Sequence, residues 1–313
     1  MTTAAPPQAP AELTRAERRR LSEATRAERR FGWALCAPAV IVMALVAFYP
    51  IIYAIYLSLQ RYDFRFPKLT HFVGFSNYAV VLSSNAWWQA FWVTIIITVI
   101  TVSIELVLGM ALALLLHRTP IWRNLVRTSI LLPYGIVTVA AAYSWQFAWT
   151  PGVGYLANLL PAGSAPLTSQ WQAIGIICLA EIWKTTPFMT LLLLAGLSLV
   201  PDDLLKAAKV DGATSWQRFT QIMLPLMKPA ILVALLFRTL DAFRIFDNIF
   251  ILTRGNNGTG SVSILGYDNL FTALNLGIGS TISVLILICV AIIAFLFIKL
   301  FGTAAPGTAL ERR

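Results

Sequence analysis

The sequence predicts an all-α polytopic membrane protein with six transmembrane helices. Three observations predict it. The chain is 58% hydrophobic and only 12% charged, with a mean hydropathy of +0.73, whereas a soluble domain is about one quarter charged. Apolar stretches long enough to cross a bilayer, roughly 20 residues each, recur along it. Its basic residues gather in alternate connections, the pattern that orients a membrane protein. That distribution explains the net charge of +10 by topology, without nucleic acid as a partner.

Residues 1–30 form a basic N-terminal arm, Pro/Ala-rich at first. TRAERR occurs in it twice, at 14–19 and 25–30. An eleven-residue offset returns to nearly the same helix face. The arm reads as a solvated cytoplasmic helix, with attraction to anionic lipid head groups as the functional alternative. It lacks the apolar run and small-residue cleavage site of a signal peptide.

The transmembrane domain is expected over 31–303, with spans at about 33–58, 90–116, 126–149, 173–199, 229–252 and 279–301, and a short cytoplasmic tail at 304–313. Of the 24 basic residues, 17 fall on one side of this arrangement, 4 on the other and 3 within it. Positive charge marks the cytoplasmic side, so both termini are expected there. Cys36, Cys178 and Cys289 lie in apolar spans, and His71 and His117 stand alone. Neither a disulfide nor a metal site is predicted.

Segment 59–89 is rich in aromatics, among them Phe64, Phe66, Phe72, Phe75, Tyr78, Trp87 and Trp88. The tryptophans read as an interfacial belt. For the others, a belt and a docking surface for an external partner stand equal. GNNGTGS, at 255–261, reads as a flexible external loop.

Segment 201–228, PDDLLKAAKVDGATSWQRFTQIMLPLMK, is a helix signal, a break and a second helix signal. Asp202 and Asp203 complement the first helix's dipole. Gly212 suits a C-terminal cap. Thr214 and Gln217 fit a capping box, and Pro225 and Pro229 are expected to end the second helix before the fifth span. Spacing leaves two readings open, a helix that docks into another protein's groove and an amphipathic interfacial helix.

KAAKVDGA followed by IMLPLMKPA resembles the "EAA" loop of ABC-importer membrane subunits. Ala207, Ala208, Asp211, Gly212, Ala213, Phe219, Ile222, Leu224 and Pro225 match that pattern, and Lys206 stands where the family carries an acid. The resemblance implies a type I permease fold whose loop 201–228 grips a separate ATPase, with a carboxylate expected on the partner opposite Lys206. GFSNY (74–78), ELVLGMALALLLHR (105–118), VRTSILLPY (126–134) and FDNIFILTRG (246–255) resemble the carbohydrate-uptake branch. What this implies is a disaccharide importer, trehalose first, built with a second, non-identical permease subunit, an ATPase dimer and an extracytoplasmic sugar-binding protein. No GxxxxGK[ST] occurs, so ATP and magnesium are expected on the partner ATPase.

The spans hold Glu105, Glu181, Lys184, Arg238, Asp241, Arg244 and Asp247. Facing lipid together, they would cost on the order of 20 kcal/mol. Arg238, Asp241, Arg244 and Asp247 follow each other at i,i+3 and read as a self-neutralising ladder on one helix. Glu181 and Lys184 read as another such pair, and Glu105 as a buried anchor bonded to a neighbouring helix. A three-residue step drifts by about 60° on a helix, so the ladder also points to more than one neighbour. A structural ion-pair network and a polar sugar lining are the two readings of these groups. Tyr134 and Thr138 share one face, Glu181, Lys184, Thr185 and Phe188 a second, and Asp241, Ile245 and Asn248 a third. By the resemblance, these faces correspond to sugar-contacting positions of the family. An ion-coupled secondary sugar transporter is the alternative, although no inverted pair of interrupted spans appears. A membrane-embedded enzyme has no nucleophile–base or metal constellation to rest on.

Overall fold

The computed structural model describes residues 15–118, 123–161 and 163–301, most of them helical. The chain divides into two units, residues 1–54 and 55–313. Among its described residues the first unit is helical. Helix α1 (Arg15–Ser58) begins there and carries the first apolar stretch to the start of the second unit. Pro38 and Pro50 lie inside it, and each removes one backbone donor from the helix ladder. The TRAERR side chains and the tail at 304–313 lie outside the described residues.

In the second unit a short hairpin follows α1. Strand β1 (Gln60–Arg61) pairs antiparallel with β2 (His71–Phe72). Arg65 donates to Asp63 at 2.6 Å and holds that carboxyl below its usual range. Helix α2 (Ser76–Ser83) is tied to the end of the first span by Asn77, whose Nδ2 donates to the Ser58 and Gln60 carbonyls at 2.8 Å each. Phe64, Phe66, Phe72, Phe75 and Trp88 are exposed, but Trp87 is buried beside Phe243 and Ile282. It is a core residue rather than part of an interfacial belt.

Helix α3 (Asn85–Arg118) is the second span. The third is two helices, α4 (Arg123–Gly135) and α5 (Thr138–Ala148), bent by 92° at the break. The single span expected over 126–149 is therefore corrected to a broken one. Pro133 removes a backbone donor just before the bend, and the Ile136 amide makes only a three-residue turn to the Pro133 carbonyl. Helix α6 (Gln170–Leu197) is the fourth span and stays helical through Pro187.

After α6 come α7 (Asp202–Val210) and α8 (Ser215–Arg218). Gly212 ends α7 at φ +85°, with the Ala213 amide on the Ala208 carbonyl and the Gly212 amide on the Lys209 carbonyl. That is a Schellman cap. Thr214 and Gln217 form the expected capping box. Pro225 and Pro229 do not end the second helix. A π-helical turn at Phe219–Met223 leads directly into α9 (Leu224–Ala242), with Pro225 in its first turn, where no donor is needed. The chain then breaks and resumes as α10 (Asp247–Leu252), so the fifth span is also interrupted.

The segment expected as a flexible external loop is a packed turn. Thr253 and Thr259 share a hydrogen bond at 2.7 Å, and Gln170 donates to the Gly258 carbonyl at 2.9 Å. Helix α11 (Val262–Tyr267) follows with Val262 and Ile264 buried, then a π-helical turn at Asp268–Thr272 and the last span, α12 (Leu276–Phe301).

Helix α3 lies along α6, and both meet α9. Met110, Ala113, Met189, Leu193, Met227 and Ala234 form the core between them. In lipid such contacts are driven by close packing and hydrogen bonding rather than by apolar transfer. Gly196 shows how close the packing is: a Cβ there would lie 2.3 Å from Ala230 Cβ, so α6 and α9 cross almost backbone to backbone.

Candidate functional site: a polar cavity between two broken helices

Both interruptions open onto one cavity of about 580 Å³, with α6 supplying the wall that joins them. Its size falls within the range of small-molecule sites. Irregular backbone at membrane depth is tolerated where it is buried in protein or lines a cavity. Two carbonyls within the breaks accept side-chain hydrogen bonds. Ile136 O accepts from Lys184 Nζ at 2.6 Å, and Ile245 O accepts from Ser261 Oγ at 2.8 Å. Lys184 thus clamps the bend of the third span, and it does not pair with Glu181 as the i,i+3 spacing suggested.

The break after α9 also corrects the charge ladder. Arg238 and Asp241 share α9 and pair at 2.8 Å. Arg244 sits in the break, its Nε donating to the Leu240 carbonyl at 3.3 Å, and Asp247 opens α10. Among the described residues no ion pair joins Arg244 to either aspartate. The ladder assumed one continuous helix, and the helix is interrupted between Ala242 and Asp247.

Arg238 finds its partners on other elements. It is fully buried, donating Nε to Glu105 Oε2 at 2.5 Å and Nη2 to Glu105 Oε1 and Glu181 Oε1 at 3.0 Å each. Asn248 donates to Glu181 Oε2. Thr185 Oγ1 donates to Glu105 Oε1 at 2.7 Å. One guanidinium therefore joins α3, α6 and α9, and Asn248 brings in α10. A fully buried cation persists only with such pairing. Glu105 is the buried anchor expected.

Of the proposed sugar-contacting residues, Tyr134, Thr138, Glu181, Lys184, Thr185, Asp241, Ile245 and Asn248 line the cavity. Phe188 lies behind it, stacked on Tyr134 with ring centroids 5.6 Å apart and an interplanar angle of 17°. Arg244 and Asp247, expected as ion-pair members, line it too, as do Ile136, Val137 and Phe246. Those last three are apolar and carry no chemical signal in the sequence. Only the helix breaks bring them to the wall.

The second cluster of predicted residues lies on α7 and the turn after it. Helix α7 has no buried residue; Ala207, Asp211, Gly212 and Val210 are exposed. Leu205, Phe219 and Leu224 anchor this segment against the core of α3, α6 and α9, while Pro225 is exposed. Lys206 pairs with Asp203 at 3.2 Å on the exposed side, an interaction worth at most about 1 kcal/mol. The segment thus presents a small-residue surface while its other face is packed onto the spans that form the cavity.

Residues 78–304 match the family of binding-protein-dependent transport system inner membrane components. Among curated proteins the chain is 64% identical over 281 residues to the trehalose transport system permease protein SugA of Mycobacterium tuberculosis, covering 90% of this chain and 92% of that one. It is 37% identical to the trehalose/maltose transport system permease protein MalF of Thermococcus litoralis, covering 87% and 94%. Among solved structures it aligns with a chain of a bacterial ABC transporter involved in import of the acidic polysaccharide alginate, at a TM-score of 0.77 and 22% identity, covering 91% of this chain and 99% of that one. The fold is that of ABC-importer permeases, and the ion-coupled alternative is left without support. With the family matched over most of its length, the chain is a multi-pass membrane protein, a transport component rather than an enzyme, and it belongs to the binding-protein-dependent permease subunits of ABC importers.

Proposed function

We propose that this permease forms half of the translocation pathway for a neutral disaccharide, trehalose, and that the cavity between the two broken spans is where the sugar is held in transit. The names of the relatives at 64% and 37% identity support the sugar. The single observation that carries the site is the convergence of both breaks on one polar cavity with an aromatic stack, Tyr134 on Phe188, at its edge. A neutral sugar needs donors, acceptors and flat apolar faces rather than a counter-ion. Thr185 and Asp241 offer acceptors, Lys184 and Arg244 offer donors, and Tyr134 offers both.

Both termini and the 201–228 segment lie in the cytoplasm on this reading, following the basic-residue asymmetry. The exposed surface of α7 docks into an ATPase dimer that binds ATP and magnesium. A second, non-identical permease completes the pathway, and a lipid-anchored or periplasmic-type binding protein delivers the sugar. ATP-driven closure of the ATPase pair pulls on α7, and its packing through Leu205 and Phe219 passes the motion to α3, α6 and α9. The cavity then opens to alternate sides.

The test is co-purification of the assembled complex in mild detergent, then a screen of disaccharides for stimulation of ATP hydrolysis. Trehalose is expected to stimulate. A complex that responds to no disaccharide, or only to a different class of solute, overturns the substrate.

A further inference from the structure

We infer that Glu105 is the positioning residue of the cavity wall: from outside the cavity it fixes the groups on α6 and α9 that face into it. The inference rests on the cavity being the sugar site.

Glu105 is fully buried in α3 and is absent from the lining. Its two oxygens grip the Arg238 guanidinium as a fork, at 2.5 and 3.0 Å, the geometry that fixes the guanidinium plane. Oε1 also accepts from Thr185 Oγ1 at 2.7 Å, a proton shared with the Glu181 carbonyl at the same distance. These two partners lead to the cavity by different routes. Thr185 lines it directly. Arg238 passes the constraint on, through Nη1 to Asp241 at 2.8 Å and through Nη2 to Glu181 at 3.0 Å. The Asp241 side chain is 63% exposed, and its link to Arg238 aims it within the open space.

Adhesion alone does not explain this arrangement. Well-packed apolar residues hold helices together as well as a buried ion pair, or better. What the ion pair adds is orientation, and Glu105 orients at once the hydroxyl of Thr185 and, through Arg238, the carboxylates of Glu181 and Asp241. A glutamine at 105 keeps the volume but replaces one acceptor with an N–H donor facing the guanidinium, so the fork is lost. An aspartate keeps the charge but draws it back by one methylene.

The experiment uses the assembled transporter in proteoliposomes with its sugar-binding protein, measuring trehalose imported and ATP hydrolysed in the same sample. Glu105→Gln is expected to retain binding-protein-stimulated ATP hydrolysis and to import about tenfold less sugar per ATP, the effect of one lost hydrogen bond to a charged group. Glu105→Asp should give an intermediate ratio. Asp241→Asn should lower the ratio as well, and the double variant should fall no further than the lower single, because the two act as one unit. A wild-type ratio in either assembled Glu105 variant overturns the positioning role, as does full additivity with Asp241→Asn. Failure of both Glu105 variants to assemble makes the residue a structural anchor only and overturns the role as well. If Asp241→Asn lowers the ratio and the Glu105 variants do not, the cavity stands and the inference fails. If Asp241→Asn and Thr185→Val both leave the ratio unchanged, the cavity reading itself fails, and the inference with it.

Discussion

Arg238 concentrates the electrostatics of this protein in one side chain. It is fully buried, and its ion pairs reach Glu105, Glu181 and Asp241 on three helices. Replacing it with methionine leaves Glu105 without its counter-charge in a dry interior and Glu181 without it at the cavity wall. The expected cost is about 3–5 kcal/mol, seen as a lower melting temperature and a lower yield of assembled complex in detergent. A variant as stable as wild type would show that these carboxylates are not held by the guanidinium. The chemistry of the site was legible residue by residue, since intramembrane charges are rare and mark themselves. Their pairing was not. Spacing reveals partners three or four residues away, whereas Arg238 bonds to residues 133 and 57 positions distant. Lys184 gave no warning of its partner either, because a backbone carbonyl freed by a remote bend has no sequence signature.

At the scale of elements, the six spans could be read from hydropathy, but the two breaks inside them could not. Hydropathy averages over some 20 residues and passes across a four-residue interruption. Pro133 and Gly135 hinted at the first break, and the acidic start of α10 at Asp247 hinted at the second, where the helix dipole favours a carboxylate. The π-helical turn at Phe219–Met223 carries the chain up to Pro225, which sits in the first turn of α9, and the helix continues through Pro229. The 201–228 segment was the most legible, because caps are local: Gly212 at φ +85° and the Thr214–Gln217 box sit where the sequence signals placed them. A Cβ at Gly212 would meet no other atom of this chain within 4 Å. It strains the backbone by roughly 1–2 kcal/mol, the cost of a left-handed conformation for a residue with a Cβ. Gly212→Val is therefore expected to reshape the end of α7 while the spans remain inserted, so that ATP hydrolysis persists and sugar uptake falls. Uptake unchanged from wild type would count against a coupling role for this cap.

Across the whole molecule, the same helices serve both proposed ends of transport. The core of α3, α6 and α9 anchors the α7 segment through Leu205, Phe219 and Leu224, and those helices also carry Glu105, Glu181 and Arg238 behind and along the cavity. Force applied at α7 thus has a packed route to the polar wall. The central claim is that the sugar is held between the two broken spans. The most direct measurement is the structure of the assembled complex, trapped with trehalose in transit. Sugar density is expected against Tyr134 and within hydrogen-bonding distance of Thr185 and Asp241. Sugar density elsewhere, with this cavity filled by side chains of the partner permease, would contradict it.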